Sequence, residues 1–197
     1  MTDVERMNDF LVIAPEMIIK NEPLMNYLTA EGFFHCPASV KYHGAYPGGL
    51  YEHSKGVYEY LQYYTDCLNL KWIRPESPFI IGMFHDLCKL DQYVEVIDDP
   101  GKTMFGQQEP QGQRIHYEYN QNMILRGHGD KSIMILSQFL TLTPEEMMCI
   151  RYHMGAYEKE EWSSYDLAIR ICPNVLFAHT ADMYQSKVMD RERKEQT

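Results

Sequence analysis

"FIIGMFHDLCKLDQY", residues 79–93, decides how the rest of the chain is read. It begins with a nearly unbroken apolar run and then places His85, Asp86 and Lys89 within five residues. An apolar helix excludes ionisable groups unless they are paired with one another or hold a metal. The stretch is therefore either a satisfied ion cluster inside a core or a site. Adjacent helical residues point about 100° apart, so His85 and Asp86 can share an ion only near a helix end or where the backbone opens. A carboxylate has two oxygens, so Asp86 can bridge two ions while His85 binds one. Lys89 follows at helical spacing on the same face. Its ammonium adds a cation that does not compete as a ligand.

Most of the surrounding sequence reads as helix. Apolar residues recur at spacings of three and four over 5–19 and 23–31. "CPASVKYHGAYPGG" is a loop closed by Gly48 and Gly49, and residues 50–68 form a helix with Leu50, Val57, Leu61 and Tyr64 on one face. Ser77 followed by Pro78 is read as an N-cap with proline in the first turn, starting the helix of the opening motif. Over 92–120 the pattern changes to the alternating "YVEVID" and "RIHYEY", separated by Pro100, Gly101, Gly106 and Gly112. This predicts a β-hairpin with a long tip, serving either as a lid carrying substrate specificity or as an edge decoration. Helical spacing returns in "GHGDKSIMILSQFL". Thr143-Pro144-Glu145-Glu146 is a capping box that opens the next helix. "SYDLAIRI" is a short helix, and Pro173 starts a last one that runs into a charged, frayed end.

The whole chain sets further bounds. Its 197 residues suggest one domain and at most two small ones, a size that can bury about 70% of the unfolded surface without cross-links. The net charge of −10 argues against unspecific binding to nucleic acid or anionic membranes, but leaves room for a nucleotide at a local cationic site. The five cysteines are odd in number, widely spaced and without a C-x-x-C pair, which points to a reducing compartment. The first twenty residues show no signal-peptide pattern, and no uncharged apolar run approaches the length of a membrane span. A cytoplasmic protein is the expectation.

Histidines and carboxylates from several helices build metal sites. The candidates are His53 in "GGLYEHS", His85 and Asp86 in "FHDLCK", His128 in "RGHGDKS", His153 in "IRYHMG" and Asp182 in "HTADM". Each lies on or at the end of a predicted helix. Asp182 competes with Asp98, Asp99 and Asp166. It is preferred because it sits mid-helix among apolar residues, where an unpaired carboxylate is costly. Four histidines and two carboxylates suit Mn, Fe, Co, Ni or Zn better than an all-oxygen Mg site. Arg126, Lys131 and Arg151 flank His128 and His153 and either hold phosphates or are solvated helix charges. His179 is read as support or packing, and His35, His43 and His116 as ordinary surface residues.

The order H…HD…H…H…D, with a lysine three residues after the HD aspartate, resembles the HD-domain superfamily of metal-dependent phosphohydrolases. The likeness runs from about residue 45 to 187. It implies an all-α, compact HD-type helical bundle spanning 1–197, with N-terminal helices over 1–44, a metal-binding core over 45–187 and a frayed end over 188–197. It implies two divalent ions, one held by His53, His85, Asp86 and Asp182, the other by Asp86, His128 and His153. Asp86 and Lys89 would be catalytic, with Lys89 on a substrate phosphate or a water. The implied activity is cleavage of a phosphoester, mono- or diester, of a nucleotide or related small molecule by metal-activated water. Some members of the superfamily are di-iron oxygenases, and a non-catalytic nucleotide-binding protein is a third possibility. Cys88 stands where the family usually has glycine, and near a redox-active metal it would be sensitive to oxidation.

Overall fold

The computed structural model describes residues 1–98, 114–123, 125–156 and 162–189. Among them are nine α-helices and one two-stranded antiparallel sheet. The predicted hairpin tip and most of the charged C-terminal stretch lie outside the described residues. No helix among the described residues is long and apolar enough to cross a membrane.

Helix α1, Asp3–Ile13, starts at a capping box between Thr2 and Glu5. The periodicity over 5–19 suggests one continuous helix, but the chain breaks at Ala14, which is extended (φ −73°, ψ 137°). Pro15 disfavours a helical residue before it, so α2, Glu16–Ile19, is a separate short turn. Helix α3, Glu22–Ala30, is capped by the Asn21 side chain and carries Pro23 in its first turn. A loop then leads to α4, Gly49–Leu68, which ends on Asn69 in the left-handed conformation.

Helix α5, Ser77–Phe84, is buried along its whole length. It is apolar all round, the pattern of a central helix. Ser77 is not its cap: it lies inside the first turn, and its hydroxyl donates to Glu146 Oε1 at 2.8 Å. Phe10 of α1, Phe33 and Phe34 of the loop, and Phe79 and Phe84 of α5 meet in edge-on and tilted contacts with centroids 5.4–6.4 Å apart. Each such buried ring contributes about 1.5–3 kcal/mol.

A 3₁₀ turn, Leu87–Asp91, follows α5 and leads into the hairpin β1, Tyr93–Asp98, and β2, Arg114–Tyr119. Val96 faces His116, and Tyr93 packs across from Tyr119 with centroids 5.5 Å apart. The hairpin thus grows out of the turn that carries Lys89.

Helices α6, Gly129–Leu136, α7, Pro144–Tyr152, α8, Trp162–Ile171, and α9, Asn174–Tyr184, complete the fold, and a π-helical turn, Gln185–Met189, extends α9. The capping box at Thr143 is present. Arg74 makes two 2.7 Å contacts to the fully buried Glu146, pinning α7 to the start of α5. Glu145 accepts from the Ile73 amide at 2.7 Å and from Asn174 at 2.8 Å, tying α7 to α9.

Two glycines set how closely helices approach. A Cβ on Gly82 of α5 would lie 2.4 Å from Tyr58 Cα of α4. One on Gly129 of α6 would lie 2.5 Å from the Ile150 carbonyl oxygen of α7. Only glycine permits these crossings, which draw α4 to α5 and α6 to α7. Near the start of α4, the buried Arg6 guanidinium donates to the carbonyls of Pro47, at 2.7 Å, and Phe34, at 3.4 Å. It also pairs with Glu52 at 3.2 Å and fills the space beside Gly48, whose φ is +83°. The first helix therefore anchors the loop that leads into α4.

Candidate metal centre

The close approaches at Gly82 and Gly129 bring together the side chains that the sequence pattern singled out. His53 projects from α4. His85 is the C-terminal cap of α5 and Asp86 the next residue, with φ −107° and ψ 20°, where the α-helix gives way to the 3₁₀ turn. That change of backbone lets two adjacent residues face one centre. His128 caps the N-terminus of α6, His153 the C-terminus of α7, and Asp182 lies in α9.

The Asp86 carboxylate is the hub. Its Oδ2 lies 3.5 Å from His53 Nε2 and 3.4 Å from His85 Nε2. Asp182 Oδ1 lies 3.1 Å from the same His53 nitrogen and 4.0 Å from that of His85. On the other side, Asp86 Oδ1 lies 3.0 Å from His128 Nε2 and 3.5 Å from His153 Nε2. One oxygen thus faces the His53, His85 and Asp182 group, and the other faces His128 and His153. All six residues come together. Five of them are buried, and the His128 side chain is 31% exposed.

The orientations of two rings, those of His85 and His153, fit metal ligation, whereas His53 Nδ1 is buried without a partner. His85 Nδ1 lies 2.8 Å from the Gly82 carbonyl oxygen and His153 Nδ1 lies 2.7 Å from that of Ile150. A proton donated there leaves Nε2 as the lone-pair nitrogen, the arrangement in which imidazole binds metal. His128 has no such carbonyl: its Nδ1 lies 3.3 Å from Cys88 Sγ. The Cys88 amide donates to Ser132 Oγ at 3.0 Å, which fixes that sulfur's backbone. His179 supports His153, its Nδ1 lying 2.7 Å from the His153 carbonyl oxygen.

Asp86 Oδ1, His128 Nε2 and His153 Nε2 are buried without a hydrogen-bond partner, although the last two lie close to the first. The atoms approach but do not align as donor and acceptor. Buried polar atoms are rarely left so. A cation between them would satisfy all three. Ligand atoms of His53, His85 and Asp86 lie within 4.8 Å of one another, as do those of Asp86, Cys88 and His128, so both groups can hold a metal ion.

The electrostatics favour positive charge at the same place. Burial works against a protonated His53, but Asp182 and Asp86 outweigh it and raise its pKa. Burial lowers the pKa of His85. For Asp86, burial is overcome by Lys89 and the neighbouring histidines, and its carboxyl is held well below the usual range. For Asp182, burial is overcome by His53, with the same result. Lys89 is buried, with Nζ 2.5 Å from Asp86 Oδ2. Burial opposes its charge, yet Asp86 prevails and its pKa is raised. The site therefore holds two carboxylates and one fixed ammonium among four imidazoles.

The three flanking cations are placed differently. Lys131 is buried and pairs with Asp91. Arg151 is exposed, pairs with Asp130 at 3.0 Å and lies over the Tyr152 ring. Arg126 is exposed in the segment before α6.

His43 corrects the sequence reading. It is half-buried, its ring centroid lies 4.9 Å from that of His53, and its Nε2 is buried without a hydrogen-bond partner. Burial, then His53 and Lys89, push its pKa down to about 3, so it is a neutral imidazole at physiological pH. The local signal for its role was a histidine in a Gly/Pro-bounded loop directly before a ligand-bearing helix. No family model matches the chain, and no curated protein or solved structure does either.

Proposed function

We propose that the chain is an HD-type metal-dependent phosphohydrolase that cleaves a phosphoester of a nucleotide or related small phosphorylated molecule. One observation carries the reading. Four imidazoles converge on the two oxygens of Asp86, the Asp182 carboxylate meets one of those imidazoles, His53, at 3.1 Å, and a buried lysine rests on the Asp86 carboxylate. His53, His85, Asp86 and Asp182 would hold one divalent ion, and Asp86, His128 and His153 a second. When bound, such ions lower the pKa of water toward neutrality and stabilise charge on a phosphoryl oxygen.

The chain's own groups do the rest. The anchored His85 and His153 rings are held in place before substrate arrives, so little reorganisation accompanies reaction. Lys89 keeps its proton and offers a fixed positive charge to a phosphate oxygen. Burial of the cluster strengthens that attraction relative to water. The hairpin leaves the turn that carries Lys89 and, on this reading, would shape what substrate enters.

The test is a hydrolysis screen of the chain loaded in turn with Mn, Fe, Co, Ni and Zn, against generic mono- and diesters and a nucleotide panel. Turnover is expected with at least one metal and is lost in Asp86→Ala. Absence of turnover with every metal, or equal turnover in Asp86→Ala, overturns the reading.

A further inference from the structure

We propose that His43 is a substrate-contacting residue whose Nε2 hydrogen-bonds a phosphoryl oxygen of the ester held at the Asp86 cluster. The proposal rests on the hydrolase reading above and adds to it a residue outside the ligand set. Most of the buried polar atoms without partners among the described residues lie at one place, the others being the hydroxyls of Ser54, Tyr117 and Tyr165. Those of Asp86, His53, His128 and His153 belong to the cluster, and His43 Nε2 stands beside it. A satisfied structural histidine would give that nitrogen a protein partner.

The backbone that carries the ring is tied down. Ser39 Oγ donates to the His43 carbonyl at 2.8 Å and accepts the Tyr42 amide at 2.9 Å. The Ala38 amide donates to the Gly44 carbonyl at 2.8 Å, closing the turn around His43. Gly44, at φ +60°, is packed so tightly on the start of α4 that a Cβ on Gly49 would lie 2.0 Å from its carbonyl oxygen. His43 is therefore fixed to the helix that carries His53, with its ring against that ligand. The residue is half-buried, and its Nε2 is enclosed beside the cluster. An imidazole N–H suits an anionic oxygen as its acceptor.

The experiment titrates inorganic phosphate into the metal-loaded full-length chain by calorimetry, with metal content measured in parallel. His43→Phe keeps a ring on His53 and removes the nitrogen. His43→Gln returns a polar atom near the Nε2 position. His43→Leu replaces the phenylalanine variant if circular dichroism shows that variant unfolded. Phosphate affinity is expected to fall roughly tenfold in the apolar variant and to recover in His43→Gln, with metal stoichiometry unchanged. Unchanged phosphate affinity in the apolar variant makes His43 a packing residue and overturns the proposal. So does loss of metal, which would make it a ligand. Wild-type protein that binds no phosphate and hydrolyses no ester removes the hydrolase reading itself. Wild-type binding with an unaffected apolar variant removes only the His43 assignment.

Discussion

Replacing Gly82 by alanine sets two effects of opposite sign against each other. Alanine in a helix interior is favoured over glycine by about 0.8–1 kcal/mol. Against this, the new Cβ would sit 2.4 Å from Tyr58 Cα and 2.6 Å from Tyr58 N, where ordinary contact begins at 3.4 Å. Both neighbours are backbone of α4, so no side chain can swing aside, and the helices must part by about 1 Å or bend. The seam they would open includes the Tyr58–Phe79 ring contact at 5.1 Å. Overpacking of a dense core costs about 1–3 kcal/mol, and a backbone clash belongs at the upper end. The expected net loss is about 2 kcal/mol, read as a lower urea midpoint at unchanged slope. The same displacement spreads His53 and His85, whose Nε2 atoms lie 3.2 Å apart. Calorimetric titration should show metal binding weakened by about 10–100-fold, the scale seen when the supports of metal ligands are disturbed. A Gly82→Ala protein as stable as wild type, with unaltered metal affinity, refutes the argument that this glycine sets the site.

Other substitutions probe separate supports. Cys88→Ala should weaken the second equivalent of metal about 10-fold or more while Cys88→Ser retains most of it, measured by equilibrium dialysis, because the sulfur orients His128. Arg74→Ala leaves the buried Glu146 carboxylate with Ser77 but no cation, and should cost about 3 kcal/mol in urea unfolding. Asp9 accepts a hydrogen bond from Tyr51 at 2.7 Å and pairs with Lys55 at 2.8 Å. Burial pushes its carboxyl up, but Lys55 and Tyr51 outweigh that and hold it below its ordinary 3.8. A depressed carboxyl stabilises the fold above the unfolded value and loses that contribution as pH falls through the folded one. Asp9→Asn should therefore flatten the decline in stability below pH about 4, followed by thermal unfolding across an acid series.

The histidine–aspartate cluster was legible because its signals are local. Each ligand sits in a short apolar context, and the break after Phe84 was implied by the need for His85 and Asp86 to face one point. The capping box at Thr143 and the alternation over 93–98 and 114–119 are local too. What the residues alone did not disclose depends on contacts distant in sequence. His43 looks like a surface residue until Gly44 is seated on Gly49 and its ring meets His53. Lys131 looks free until the 3₁₀ turn presents Asp91. Ser77 resembles a cap, yet Glu146, far along the chain, takes its hydroxyl. Pro15 was the exception: its effect is local, and the apolar periodicity on both sides masked the break.

The anchoring of Arg6 bears on how this molecule can be shortened. A clone trimmed to the stretch that carries the histidine–aspartate cluster would discard the guanidinium that steadies Phe34, Pro47 and Glu52. It would also lose Phe10 from the aromatic cluster. The amino-terminal helix is thus a foundation for the loop that enters α4 and for the start of the helix that carries His53.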